Sequence, residues 1–303
     1  MTPSREELLA ELRPGAFAVA YRMLGSVAEA EDVVQEALLR LHDALGRGEE
    51  IASPRAYLAT VTARLAIDEL RSARARRETY VGEWLPEPLL ASTEDDPAAR
   101  AETADSLSFA FLVLLESLTP EERAALLLHD VFDYGFADVG AVIGKTEGNA
   151  RQLAVRARRR VKQGRPRFEG SEERRRELGD RFFDAAEAGD LAGLEELLAR
   201  DVVLRGDGGG KVPALARAVD GAAPVARVLV GWARNGAERG ARLERVEVNG
   251  SPGGLLRAAD GRLVGAIALD VEGERVVGVN SVVNPEKLTH LGEVGDVRAI
   301  LRG

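Results

Sequence analysis

Near residue 170 the hydrophobic pattern of this chain changes period, and that break constrains the fold more than any other feature. Before it, apolar residues recur on helical spacing. After it, two helical stretches give way to strand-like runs separated by Asn249-Gly250, Asp260-Gly261 and Glu272-Gly273, the turn signals of antiparallel strands. A chain of 303 residues with such a break is expected to be multidomain: an all-α part followed by an α+β part. No internal repeat or low-complexity tract is visible.

Four segments follow from the local signals. Residues 1–82 read as helices. Ser26 with Glu29 forms a capping box before Val33, Ala37, Leu38 and Leu41, and Ser53-Pro54 opens a helix that carries Tyr57, Leu58, Val61, Leu65, Ile67 and Leu70. Residues 83–105 read as a linker, broken by Pro86, Pro88 and Pro97 and acidic at Glu94-Asp95-Asp96. It also holds Trp84-Leu85-Pro86-Glu87-Pro88, whose apolar residues call for a surface to pack on. Residues 106–167 are helical again. Thr119-Pro120-Glu121-Glu122 is a capping box, and the short pattern Phe136 to Ile143, closed by Gly144 and restarted at Thr146, is that of a helix-turn-helix. Residues 170–303 start with two helices, the second capped by Asp190. A strand around Val202-Val203-Leu204, the turn Asp207-Gly208-Gly209-Gly210-Lys211, a helix from about Ala222 to Arg234 and a strand meander follow. In the strand from Leu263, residues Leu263, Gly265, Ile267, Leu269 and Val271 are expected on one face.

The hydrophobic fraction of 45% and charged fraction of 30% are ordinary globular values. The absence of cysteine excludes disulfides, thiolate metal sites and thiol nucleophiles, and fits a cytoplasmic protein. No run reaches the roughly 18 apolar residues of a membrane span, so no membrane partner is expected. The net charge of -9 would oppose a nucleic-acid partner if it were evenly spread. It is not: nine basic residues and one acid lie between Lys145 and Arg167, and Arg71, Arg74, Arg76 and Arg77 form a second cluster. Basic runs are often solvated helix faces. Two of them, each ending a helical pattern, favour phosphate contact.

In the helix after the turn, Glu147, Asn149, Arg151, Gln152 and Arg156 occupy the first turns, where recognition helices meet base edges. Asn and Gln can read adenine and Arg guanine. Arg158, Arg159, Arg160 and Lys162 suit backbone contact. The competing reading is a helical hairpin packed in an enzyme.

At this point the chain resembles a known family. Ala30-Glu31-Asp32-Val33-Val34-Gln35-Glu36-Ala37-Leu38-Leu39-Arg40 resembles the polymerase-binding helix of RNA polymerase sigma factors. The stretch from Ala56 to Arg71 resembles the following helix, which melts and reads the promoter −10 element. Leu118 to Arg123 with the helix-turn-helix resembles the domain that reads the −35 element. Order and spacing are those of the extracytoplasmic-function group, over residues from about 10 to 167. The resemblance implies two all-α sigma domains, core RNA polymerase and promoter DNA as partners, and no cofactor or metal. Asp32, Gln35, Glu36 and Leu39 share one helix face that could meet a basic surface of polymerase. Arg64, Arg71, Arg74, Arg76 and Arg77 would hold phosphates beside the −10 strand, with Tyr80 able to stack on a base. Glu147, Asn149, Arg151, Gln152, Arg156 and Arg159 would serve the −35 element. Asn149-Ala150 departs from the Thr-Val common in relatives.

The C-terminal segment resembles the SnoaL-like fold, an α+β cone domain found in ketosteroid isomerase and polyketide cyclases and, as an extension, in a subgroup of these sigma factors. The matching motifs are Trp84 to Pro88, Asp207 to Lys211, and Asn284-Pro285-Glu286-Lys287-Leu288. In that subgroup the extension acts in cis, which makes Trp84, Leu85, Asp207, Gly208, Gly209, Gly210, Lys211, Asn284, Pro285, Lys287 and Leu288 candidate regulatory contacts. The alternative is a cyclase or isomerase enzyme fused to a DNA-binding domain. Against it, the histidines are His42, His129 and His290 and the tyrosines Tyr21, Tyr57, Tyr80 and Tyr134, so the body of the extension has neither an acid/base His nor an oxyanion-hole Tyr. Asp270 is expected to be solvated. No catalytic residue is assigned, and a small ligand in the extension stays open.

Overall fold

The computed structural model describes residues 4–77, 79–90, 107–162 and 172–301. The chain divides into two compact units, residues 1–78 with 114–164 and residues 79–113 with 165–303. The stretch 79–113, which includes the linker, therefore clusters with the C-terminal residues.

The first unit is helical. Helix α1 (Arg5–Leu24) starts at a Ser4/Glu7 capping box, α2 (Val27–Gly46) starts at Ser26, and α3 (Pro54–Arg77) follows Ser53. Helix α4 (Phe109–Leu115) begins among residues of the second unit and ends in the first. Helix α5 (Pro120–Asp130) starts at the expected Thr119/Glu122 capping box. Helices α6 (Phe136–Ile143) and α7 (Glu147–Lys162) form the helix-turn-helix. They cross closely because Gly140 has no side chain: a Cβ there would lie 2.8 Å from the Lys145 carbonyl oxygen. Helix α7 packs on α5 and α6 through Ala150, Ala154, Ala157 and Val161, mostly small residues that leave its basic face outward.

Helices α1 and α3 also pack on α5. The buried Arg123 fastens the α1 side of this junction, donating to the Met23 carbonyl at the end of α1 (2.7 Å), to Leu115 O (3.1 Å) and to Glu116 (2.7 Å). A charge this deep is tolerated because it is paired and its donors are satisfied.

The second unit holds helices α8 (Glu172–Ala188), α9 (Leu191–Leu197) and α10 (Ala222–Glu238) against a six-stranded sheet. The strands are β1 (Leu198–Asp207), β2 (Val219–Asp220), β3 (Arg242–Val248), β4 (Ser251–Arg257), β5 (Leu263–Glu272) and β6 (Arg275–Val282), in the order β2-β1-β6-β5-β4-β3. Strands β3 to β6 are the expected meander, but β1 lies parallel to β6. Two 3-10 turns (Pro285–Lys287 and Thr289–Leu291) and helix α11 (Arg298–Leu301) end the chain.

This sheet is buried on both faces, which explains why β5 lacks the alternation of a half-exposed strand. One face packs Leu204, Leu269, Val276 and Val279 against Phe182, Phe183, Leu194 and Leu229 of the helices. The other packs Ala266, Ala268 and Val282 against Leu85, Phe109 and Leu288. Leu263 belongs to this second cluster, not with Ile267 and Leu269 as the alternation implied. The register of β4 and β5 shifts between Leu256 and Arg257, opposite the start of β5, and a slip there changes faces.

Candidate nucleic-acid interface and linker grip

Helix α7 presents Glu147, Asn149, Arg151, Gln152, Arg156 and Arg159 to solvent. Ala150 is fully buried, so of the Asn149-Ala150 pair only Asn149 can face DNA. Arg151 is held by Glu147 (2.8 Å) and lies over the Phe136 ring, 5.3 Å from its centre. That fixes the guanidinium at the mouth of the turn while leaving most of it exposed. The basic run behind it is less free than its sequence implies. Arg158 pairs with Asp130 (2.7 Å) and Arg160 with the buried Glu122 (2.6 Å). Arg156 and Arg159 form no ion pair among the described residues.

On α2, Asp32, Gln35, Glu36 and Leu39 are all exposed, while Val33, Val34, Ala37 and Leu41 point into the core. Leu39 is 52% exposed, an isolated apolar side chain in a polar setting, although Glu36 is paired with Arg40.

The arginines of α3 are differently placed. Arg64 donates to the carbonyls of Ala141 (2.9 Å) and Val142 (3.3 Å), in the last turn of α6 where the helix dipole is negative. Arg71 bridges Asp68 (2.9 Å) and Glu121 (2.7 Å) of α5. The Arg71 hydrogen bond holds the Glu121 carboxyl below its ordinary range and, reciprocally, raises the guanidinium. The side chains of Arg74, Arg76 and Arg77 lie outside the described residues.

In the second unit the three motifs converge on one side-chain cluster. Asp207, at the end of β1, is fully buried. Its carboxylate accepts from Tyr80 Oη (2.6 Å), Leu85 N (2.9 Å), Gly209 N (3.0 Å) and Lys287 Nζ (2.7 Å). Lys287, 6% exposed, also donates to Leu85 O and sits over the rings of Trp84 (4.2 Å) and Tyr80 (5.1 Å). The pair is buried but neutral, and its hydrogen-bonding groups are matched. Asn284 donates to Tyr80 Oη (2.9 Å), and its side-chain oxygen accepts from Glu286 N. Burial first, then the Asp207 carboxylate, raise the pKa of the Tyr80 phenol, keeping it a donor. Tyr80 was expected to stack on a base; instead it belongs to this cluster. The turn approaches its partners too closely for side chains: a Cβ on Gly209 would lie 2.4 Å from Asn284 Nδ2 and one on Gly210 2.8 Å from Val81 Cβ, and both glycines have positive φ. Lys211 pairs with Glu286, Pro285 opens the 3-10 turn after β6, and Leu288 is buried beside Leu85.

Sequence reasoning missed further members. Asn249 reads as a hairpin residue, yet its side chain accepts from Leu89 N (2.8 Å) and donates to Leu107 O (2.9 Å). His290 Nε2 donates to Pro88 O (2.7 Å). Asp270, expected to be solvated, is 2% exposed; it accepts from Ala110 N (3.1 Å) at the start of α4 and from Asn280 Nδ2 (2.8 Å). Desolvation raises its pKa. Proline breaks marked the linker as irregular, but extended backbone makes no local pattern that reveals its distant partners. Together these contacts hold residues 80–90 along one face of the sheet.

A helix-turn-helix with an exposed, Arg-bearing recognition face, behind a helical module with an acidic-polar face, defines a DNA-reading transcription protein. Residues 8–76 match the family model Sigma-70 region 2 and residues 108–161 match Sigma-70, region 4. The chain is 41% identical over 287 residues to the ECF RNA polymerase sigma factor SigJ of Mycobacterium tuberculosis, covering 92% of this chain and 91% of that protein. It is 31% identical to the probable ECF RNA polymerase sigma factor SigI of the same species, covering 90% of this chain and 91% of that one. The crystal structure of M. tuberculosis SigJ superposes with a TM-score of 0.74 at 37% identity, over 94% of this chain and 98% of that one. The chain belongs to the extracytoplasmic-function RNA polymerase sigma factors. It is a sigma factor that binds core RNA polymerase and directs it to promoter DNA, and the fused-enzyme alternative is not supported. Among the described residues no helix is long and apolar enough to cross a membrane.

Proposed function

We propose that this sigma factor is regulated in cis, in the cytoplasm, by its C-terminal unit, and that the described form is one in which part of the DNA-reading surface is occupied. The observation that carries the regulatory reading is the convergence of Tyr80, Trp84 and Leu85 of the linker on Asp207, Asn284 and Lys287, while the engagement of Arg64 and Arg71 with α6 and Glu121 carries the occupancy. Those hydrogen bonds compete with −10 phosphates for the same guanidiniums, and because both arginines are exposed, phosphate can displace the present partners by side-chain rotation. In this reading Asp32, Gln35, Glu36 and Leu39 meet core polymerase. Arg151 and Gln152, with Asn149, read −35 bases, and Arg156 and Arg159 hold phosphates. The cluster around Asp207 and Lys287 sets the path of the linker, and with it the spacing available to the two DNA-reading modules. A bias of a few kcal/mol between parted and joined arrangements is enough to control output.

Promoter-specific transcription by core polymerase tests this with three forms at matched concentration: full chain, chain ending after Leu288, and chain ending after Arg167. Loss of the tail should raise output, and loss of the whole extension should lower it. Equal output from all three forms would remove the regulatory reading while leaving sigma activity intact.

A further inference from the structure

Between the helices and the sheet of the C-terminal unit lies a cavity of about 790 Å3. That is the size of an ordinary small-molecule site and far above the voids of a close-packed interior. Phe182, Phe183, Leu229, Trp232 and Ile267 line its body. Its charged lining residues, Glu187 and Arg242, are exposed, so they stand at the rim. The buried Ser281 supplies a hydroxyl at the sheet wall. Val297 and Ile300, from the tail leading into α11 and from that helix, close one side, and Arg298 ties the tail to the Lys211 carbonyl (2.6 Å).

We propose that this cavity binds an uncharged, largely aromatic or alicyclic small molecule, and that its occupancy is transmitted through the sheet to the linker. The class follows from the lining: a formal charge in the body would be desolvated with no partner, whereas one hydroxyl or carbonyl could meet Ser281. Transmission follows from the alternation of strand residues. Gly206 lines the cavity and the next residue, Asp207, holds Tyr80, Leu85 and Lys287. Ser281 and Val283 line the cavity, while Asn280 of β6 holds Asp270 of β5, and Asn284 holds Tyr80. Val283 and Asn284 both donate their amides to the Asp207 carbonyl (2.8 and 3.0 Å). A ligand that displaces the ends of β1 and β6 therefore moves the grip on the linker. The transcriptional consequence rests on the proposed cis regulation; the binding site and its coupling to the linker do not.

The probe is N-phenyl-1-naphthylamine, an uncharged aromatic amine that accepts energy from tryptophan. The chain has two tryptophans, so Trp84→Phe leaves Trp232 in the cavity wall as the sole donor. Titration of that full-length variant should quench Trp232 saturably at one probe per chain. Ala233→Phe and Ala186→Phe, which fill the cavity from α10 and α8, should each weaken binding by about tenfold or more while leaving the thermal transition in place. In the otherwise wild-type chain, the probe should change amide hydrogen exchange of residues 80–90, where the amides of Leu85 and Leu89 are held by Asp207 and Asn249. Unsaturable quenching, or binding unaffected in whichever filling variant stays folded, overturns the site. Saturable binding with unchanged exchange in residues 80–90 overturns the coupling. Neither readout involves polymerase, so failure of cis regulation in transcription stays a separate result.

Discussion

Helices α3 and α7 both carry arginines that we propose contact promoter DNA, and the structure holds the two sets differently. On α7 the reading face is exposed, and Arg151 is oriented by Glu147 and Phe136 without being covered. On α3, Arg64 donates to α6 of the helix-turn-helix, and Arg71 is shared between Asp68 of its own helix and Glu121 of α5. An arginine on a helix surface is therefore not a DNA contact by virtue of its type. What it already holds decides whether binding is direct or must follow a rearrangement. In the proposed reading the −35 face on α7 is already open, whereas the α3 arginines must exchange their present partners for phosphate.

The contrast can be broken at the junction. Arg123→Ala should have the largest effect, because it strips partners from Glu116 and from the Met23 and Leu115 carbonyls. Unfolding by denaturant should show a loss on the order of 3 kcal/mol, as the end of α1 and the residues ending α4 lose their tie to α5. If stability is unchanged, Arg123 is not the fastener of these helices. On the open side, Arg151→Ala should cost about 1–3 kcal/mol of discrimination at one base pair, while Arg159→Ala should weaken promoter and random DNA alike and lower the salt slope by about 1. Competition binding at several salt concentrations measures both; an equal loss for promoter and random DNA in Arg151→Ala would make that residue a phosphate contact.

The smallest effect sharpens the occupied side. Glu121→Gln should loosen Arg71 at a cost below about 1 kcal/mol, because the pair is partly exposed. Its pH dependence has a definite sign. The folded pKa of Glu121 lies below its ordinary 4.5, so its stabilisation is present above that value and is lost as pH falls through the depressed one. Unfolding of the wild-type chain and Glu121→Gln should therefore differ at neutral pH and converge in acid. A difference that persists undiminished in acid would mean that Arg71 is not what stabilises the Glu121 carboxylate.

Helix starts were legible wherever a capping residue and an apolar stripe coincide, as at Ser26, Ser53, Thr119 and Asp190, because those signals act over one or two turns. The exposed faces of α2 and α7 were legible for the same reason. Arg158 and Arg160 were not: their partners, Asp130 and Glu122, lie 28 and 38 residues away. The motif residues Trp84, Asp207 and Lys287 could be singled out, but their meeting point could not.

By itself, then, the sequence determined the helical and strand segments, the helix-turn-helix and the sigma family, all of which rest on local periodicity, capping and motif order. Tertiary structure alone decided that β1 pairs with β6, that the sheet is buried on both faces by helices and linker, and that Asp270 is buried rather than solvated. It also decided that Arg64 and Arg71 are occupied. The reason is physical: burial and pairing depend on groups brought together from distant parts of the chain, and a residue's own neighbours in sequence carry no record of them.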